Sequence, residues 1–183
     1  MRVVATGYVS LDGVFEEPGQ WSVPFFDDEV AQFKWGELQA SDALLLGRKT
    51  YEGFAAAWPS MTDEAGFADK MNSMPKYVVS STLETAEWSG SRLIRGDVAG
   101  EVRTLRQEAG NDLLLAGSAQ LFRALAQEDL IDVYRFMVHP IVLGTGERLF
   151  AGGIDGKRLG LTEARTFGSG IVILDYEPAE RSS

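Results

Sequence analysis

Apolar and β-branched side chains dominate residues 2–9, Arg-Val-Val-Ala-Thr-Gly-Tyr-Val, and predict a strand. The next stretch, Ser10 to Phe26, is broken by Gly13, Pro18, Gly19 and Pro24 and reads as a loop. The spacing then turns helical. Asp27 or Asp28 can cap an N-terminus, and Ala31, Trp35 and Leu38 fall at i, i+4 and i+7 on one face of a helix running to about Ala40. Asp42 to Leu46 is a short apolar run suited to a strand buried on both faces, ended by Gly47. A helix follows over Thr50 to Ala57. Residues 59–75 read as a loop with a short helix around Phe67 to Asn72. Lys76 to Ser80 and Arg92 to Arg95 are strands, and Asp97 caps a helix through about Ala109. Asn111-Asp112 turns into the run Leu113 to Ala116, which Gly117-Ser118 ends, opening a helix to about Gln127. Asp132 to His139 is a strand halted by Pro140. Arg158 to Arg165 and Ile171 to Glu177 close the chain as an antiparallel pair joined through Gly168 to Gly170.

Strands alternating with helices, then strands without them, predict an α/β sheet with an antiparallel C-terminal edge. The length suits one domain over residues 1–178, with a disordered tail at 179–183. In such a sheet ligands gather beyond the C-terminal ends of the parallel strands, so the residues just after each strand are the candidates for chemistry.

Composition narrows the ligand. Apolar residues make up 45% and charged residues 24%, the balance of a soluble globular chain. No apolar run approaches the roughly 20 residues that span a bilayer, and the N-terminus has no signal-peptide pattern. With no cysteine there is neither a disulfide nor a thiolate metal site, and the expected compartment is the cytoplasm. His139 is the only histidine, so no histidine dyad or His-rich metal site is expected; packing is the preferred role for it. A net charge of −10 argues against nucleic acid. An anionic ligand would need a local device, such as a helix N-terminus or a placed arginine.

Four strand ends offer such devices. Gly47-Arg48-Lys49-Thr50 is a glycine turn opening a helix; it either holds a pyrophosphate on its amides or is an ordinary solvated turn. Ser80-Ser81-Thr82 offers three hydroxyls to a phosphate, or forms a polar turn. Arg95 either flanks the same ligand or ends a strand. Gly117-Ser118-Ala119-Gln120 is a second glycine turn before a helix, and two such turns in one sheet are harder to dismiss than one. Leu143 to Phe150 contains a glycine-flanked loop that without context reads only as a turn.

In order and spacing these pieces resemble the dihydrofolate reductase superfamily. Leu45 to Glu52 resembles the cofactor turn of those enzymes, Val78 to Thr82 their serine-bearing strand end, and Asp129 to Gly146 with Leu149-Phe150 their C-terminal signature. Ser10-Leu11-Asp12-Gly13 is closer to a sister branch, the reductase domain of bifunctional riboflavin-biosynthesis enzymes, the RibD C-terminal type. The resemblance covers residues 2–176. It implies a mostly parallel sheet of about eight strands, NADPH as cofactor and a homodimer. Gly47, Arg48 and Thr50, with Lys49 beside them, would hold the pyrophosphate and adenosine phosphate. Ser80, Ser81, Thr82 and Arg95 would lie on the 2′-phosphate side, and Gly117, Ser118, Ala119 and Gln120 would line the pyrophosphate and nicotinamide. Where dihydrofolate reductases carry Gly-Gly, this chain has Gly117-Ser118, which puts the turn's geometry in question.

Hydride transfer also needs a group that protonates or polarises the acceptor. Matching Phe33-Lys34 to the similar pair in the first reductase helix makes Glu29 the counterpart of the substrate-anchoring carboxylate. There it is either half-buried above Phe25, Phe26 and Phe33 with a raised pKa, or part of an exposed acidic cluster at a helix start. Asp12 either borders the nicotinamide or is a turn residue before Gly13. The implied activity is NADPH-dependent reduction of a C=N or C=O group, as with 5-amino-6-(5-phosphoribosylamino)uracil. The alternatives are dihydrofolate reduction, resting on Glu29, and a nucleotide-binding module without turnover.

Overall fold

The computed structural model describes residues 1–152 and 154–179. Its strands are β1 (Arg2–Ser10), β2 (Ser41–Gly47), β3 (Lys76–Val79), β4 (Ser91–Ile94), β5 (Asp112–Ala116), β6 (Val133–His139), β7 (Leu159–Thr166) and β8 (Val172–Pro178). The helices are α1 (Pro18–Trp21), α2 (Asp28–Gln39), α3 (Arg48–Ala57), α4 (Phe67–Ser73), α5 (Val98–Gln107) and α6 (Ala119–Gln127). All eight strands form one sheet in the order β4-β3-β2-β5-β1-β6-β8-β7. Neighbours from β4 to β6 run parallel, and β8 and β7 add an antiparallel edge.

The apolar runs predicted as doubly buried strands are so. Leu45, Leu113 and Leu115 join Val3 and Ala5 in a core under α5 and α6, built on Val102, Leu105, Leu121, Phe122 and Leu125. Their alternates Leu44, Leu46 and Leu114 join Val4 in a core with Leu38, Tyr51 and Met71 from α2, α3 and α4. Period-two alternation with apolar residues on both faces is what a central parallel strand requires. Two predicted caps are present: Asp27 accepts from Val30 N at 2.9 Å and Asp97 from Gly100 N at 2.8 Å.

Several local details differ from the expectation. The segment read as loop before α2 contains α1 and a 3-10 turn, Val23–Phe25. Asp112 is not in a turn; it begins β5, nearly buried against Arg2. Ala179 N donates to Arg158 O, and the rest of the predicted tail, 180–183, lies outside the described residues.

The buried face of α2 also differs. Val30, Glu37 and Leu38 are buried, whereas Ala31 and Trp35 are only partly covered. Apolar spacing misplaced the face because Glu37, a charged residue, points inward. It accepts from Lys34 Nζ and faces Arg135 Nη1 at 3.5 Å, and Arg135 clasps Asp175 at 2.5–3.0 Å. A buried carboxylate is tolerable only with such partners.

Lys76 is fully buried at the start of β3. Its ammonium donates to Asn72 O, Met74 O and Ser89 O at 2.8–3.0 Å and lies 4.2 Å from the Trp88 ring centroid. Burial pulls its pKa down to about 8, which still leaves it mostly protonated at neutral pH.

Candidate functional site

β2 and β5 are paired neighbours, so the turns leaving their C-terminal ends meet. Gly47 caps α3 with no side chain on the cap, which leaves the first-turn amides of α3 without a side-chain acceptor. Gly117 (φ 65°) and Ser118 (φ 57°, ψ 84°) are both left-handed, and Ser118 Oγ accepts from Leu121 N at 3.3 Å to open α6. A Cβ on Gly47 would lie 2.3 Å from Ser118 Oγ, and one on Gly117 would lie 2.9 Å from Thr50 Oγ1. Each glycine thus makes room for a side chain of the opposite turn. The serine in place of a second glycine keeps the left-handed path, at a cost of about 1–3 kcal/mol for a residue with a Cβ.

Around these turns, Arg48 is exposed and pairs with Glu52 at 3.0 Å across one helical turn. Lys49, Gln120, Ser81 and Thr82 are exposed. Ser80 is buried, and its hydroxyl accepts from Thr82 N and Leu83 N at 3.2 and 2.9 Å. That hydroxyl holds its own turn. Arg95 Nη2 donates to Leu83 O and Glu84 O, fastening the same turn to the end of β4.

Asp12 lies at the end of β1 and is fully engaged. It accepts from Ser10 Oγ at 2.7 Å, from Leu143 N at 3.1 Å and from Gly144 N at 2.9 Å, while Arg148 Nε donates to its carbonyl at 2.9 Å. The Ser10 hydroxyl and the Leu143 amide pull its pKa down to about 2. The glycine-flanked loop after β6 is therefore the partner of Asp12, and the two lock together.

Glu29 is not the half-buried carboxylate over a phenylalanine floor. It is exposed, accepts from Gly168 N at 2.8 Å in the β7–β8 turn, and Phe26 itself is 54% exposed. Glu29 sits in the first turn of α2 beside Val30, which is the residue of that turn that turns inward. His139 is buried against Tyr8, Trp21 and Phe25 with centroids at 5.1–5.8 Å, and burial lowers its pKa.

Further polar groups lie beside these elements that apolar spacing did not single out. Thr6 is 7% exposed, and its Oγ1 has no hydrogen-bond partner. Lys34 Nζ sits 5.6 Å from the Tyr8 ring centroid. The signal in the sequence is the alternation Val4, Thr6, Tyr8, Ser10, which turns polar on one face toward the end of β1.

The family model of the RibD C-terminal domain matches residues 2–173. The chain belongs to the RibD C-terminal domain family. Among proteins like this family member, "Uncharacterized protein YyaP" of Bacillus subtilis (strain 168) is 29% identical over 181 residues, covering 96% of this chain and 94% of that one. A Shewanella sp. PV-4 protein whose name links it to riboflavin biosynthesis superposes with a TM-score of 0.80 at 19% identity, over 98% of this chain and all of that one. The Thermotoga maritima diaminohydroxyphosphoribosylaminopyrimidine deaminase/5-amino-6-(5-phosphoribosylamino)uracil reductase superposes with a TM-score of 0.67 at 18% identity, over 97% of this chain and 56% of that one. Enterococcus faecalis dihydrofolate reductase, complexed with NADP(H), gives 0.66 at 15% identity, over 98% and 97%. The fold is dihydrofolate-reductase-like. Among the described residues no helix is long and apolar enough to cross a membrane.

Proposed function

We propose that this RibD C-terminal domain protein is an NADPH-dependent reductase that delivers hydride to a C=N or C=O group of a small heterocyclic or ribosylamino compound in the cytoplasm. The observation that carries the reading is the interlock of the two glycine turns at the C-terminal ends of β2 and β5. It holds two helix N-termini side by side, α3 without a side-chain cap, as a diphosphate requires. Gly47, Arg48, Lys49 and Thr50 would hold the pyrophosphate and adenosine side from α3, and Gly117, Ser118, Ala119 and Gln120 would hold it from α6. Ser81 and Thr82, whose hydroxyls are exposed, would reach the 2′-phosphate, with Ser80 and Arg95 fixing their turn. Bound NADPH supplies the hydride. Asp12, ionised and saturated with donors, holds the rim of the site through the Leu143–Gly144 loop. Reduction of 5-amino-6-(5-phosphoribosylamino)uracil is supported by the family and by the activity for which the Thermotoga relative is named. A homodimer would form through β7, the outer strand of the sheet, whose residues 160–166 are exposed.

The test is titration with NADPH while following the fluorescence of Trp21, Trp35, Trp58 and Trp88. Saturable quenching, followed by loss of NADPH absorbance on adding the phosphoribosylaminouracil, is the expected result. Absence of saturable binding would remove the reading, and binding without oxidation would leave a nucleotide-binding module.

A further inference from the structure

The α2-facing side of β1 carries two hydroxyls that neither the cofactor turns nor the core engages, although the Tyr8 ring itself packs on the core around Val30, Met137 and Phe167 and against His139. Val3, Ala5 and Val9 point into the core under α5 and α6, so Thr6 and Tyr8 point the other way, toward α2. Thr6 stands in register between Ala116 of β5 and Arg135 of β6, one residue before the Gly117 turn. A threonine hydroxyl that is nine-tenths buried and unpartnered is rare, because desolvating it without a hydrogen bond costs stability. Tyr8, two residues on, is half-buried, and its phenol makes no hydrogen bond among the described residues. Above it stands Lys34, whose ammonium is anchored on the far side by buried Glu37, itself facing Arg135 and, through it, Asp175. Burial works against the Lys34 charge, but the Glu37 carboxylate beside it holds the pKa above the ordinary lysine value. An ammonium is thus held over the Tyr8 ring, 5.6 Å from its centroid, on the strand next to the Gly117 turn.

We infer that Tyr8 is the proton donor of the reduction, with Lys34 as its positioning residue and Thr6 Oγ1 as a second hydrogen-bonding group for the substrate's C=O or C=N heteroatom. The inference rests on the reductase reading above. In the step, the hydride forms the new C–H bond and the π pair of the double bond becomes a lone pair on oxygen or nitrogen. The Tyr8 O–H bond breaks, its proton passes to that lone pair, and the tyrosinate left behind faces the Lys34 ammonium until water reprotonates it. The substrate class is a carbonyl or imine compound whose heteroatom faces the Tyr8 and Thr6 hydroxyls.

The experiment uses wild type, Tyr8→Phe, Thr6→Val and Lys34→Arg. Each is measured for NADPH affinity by tryptophan quenching and for single-turnover NADPH oxidation. The substrates are the phosphoribosylaminouracil, dihydrofolate and 4-nitrobenzaldehyde, in H₂O and D₂O. Tyr8→Phe should keep NADPH affinity within twofold, lose about 100-fold or more in the chemical step and lose the wild-type solvent isotope effect. Lys34→Arg, which keeps the charge for Glu37, should retain most of that rate and the isotope effect. Thr6→Val should weaken substrate saturation more than the maximal rate. If wild type binds no NADPH or oxidises none with any of the three, the reductase reading itself falls. If wild type turns over and Tyr8→Phe does so at the same rate with the same isotope effect, only the assignment of Tyr8 falls.

Discussion

Gly47→Ala tests the interlock of the two turns directly. Gly47 has φ −78° and ψ 161°, a conformation open to any residue, so alanine there meets no backbone penalty. It should even gain about 0.5 kcal/mol by restricting the unfolded chain. Its cost is one of contact. The new Cβ would lie 2.3 Å from Ser118 Oγ and 2.7 Å from Ser118 Cβ, where ordinary contact begins at 3.4 Å. The Ser118 side chain has little freedom to yield, since its backbone is left-handed and its hydroxyl caps α6. Parting the turns by an ångström costs on the order of 1–3 kcal/mol, for a net loss of about 0.5–2.5 kcal/mol. Ser118→Gly removes both atoms in the clash. On its own it should range from neutral to stabilising by about 1–2 kcal/mol, because relief of left-handed strain outweighs the few tenths lost from the cap and is set against the greater freedom of glycine in the unfolded chain. In the Ser118→Gly background Gly47→Ala should therefore cost nothing. Urea unfolding of the four proteins would give the coupling energy, expected at about 1–3 kcal/mol, the contact cost that the double variant lacks. NADPH titration should show affinity falling about tenfold in Gly47→Ala, equivalent to about 1.4 kcal/mol, and recovering in the double variant. A coupling below about 0.5 kcal/mol would show that the two turns do not depend on each other.

The remaining predictions concern the surroundings of the site. Lys76→Met strands three carbonyls inside the protein, and at about 1 kcal/mol each it should cost about 3 kcal/mol in urea unfolding while leaving NADPH affinity of the folded protein unchanged. Asp12 has a folded pKa of about 2 against 3.8 for the ordinary group, so its contribution is fully present above pH 3.8 and lost as pH falls through 2. Protection of the Leu143 and Gly144 amides, measured against the free-amide exchange rate at the same pH, should accordingly persist down to about that range and be absent in Asp12→Ala. Glu29→Gln keeps an acceptor for Gly168 N, so turnover should stay within about threefold of wild type. A loss of 100-fold would return Glu29 to the centre of the chemistry and revive the folate reading.

What could be read from the chain divides along the range of the interactions. Leu44 to Leu46 and Leu113 to Leu115 announce doubly buried strands because burial on both faces leaves an uninterrupted apolar run, a purely local mark. The glycine turns at 47 and 117 are equally local. Their mutual contact is not, since it depends on β2 and β5, far apart along the chain, being neighbours in the sheet. The same division separates the acids. Asp27 and Asp97 cap the helices they precede, within three residues, and were legible. Glu37 carries no local mark of burial because its partner Arg135 lies 98 residues away, and the helix face was misplaced for that reason. For Glu29 the order of residues left two readings, half-buried or exposed; the structure gives the exposed one, and its contact with Gly168 in the β7–β8 turn is equally distant along the chain. Position along a strand is therefore better evidence for where ligands sit than residue type is for what a carboxylate does. By that measure Thr6 and Tyr8, placed by strand alternation and then found beside an unsatisfied hydroxyl and a fixed ammonium, are better founded as substrate contacts than Glu29.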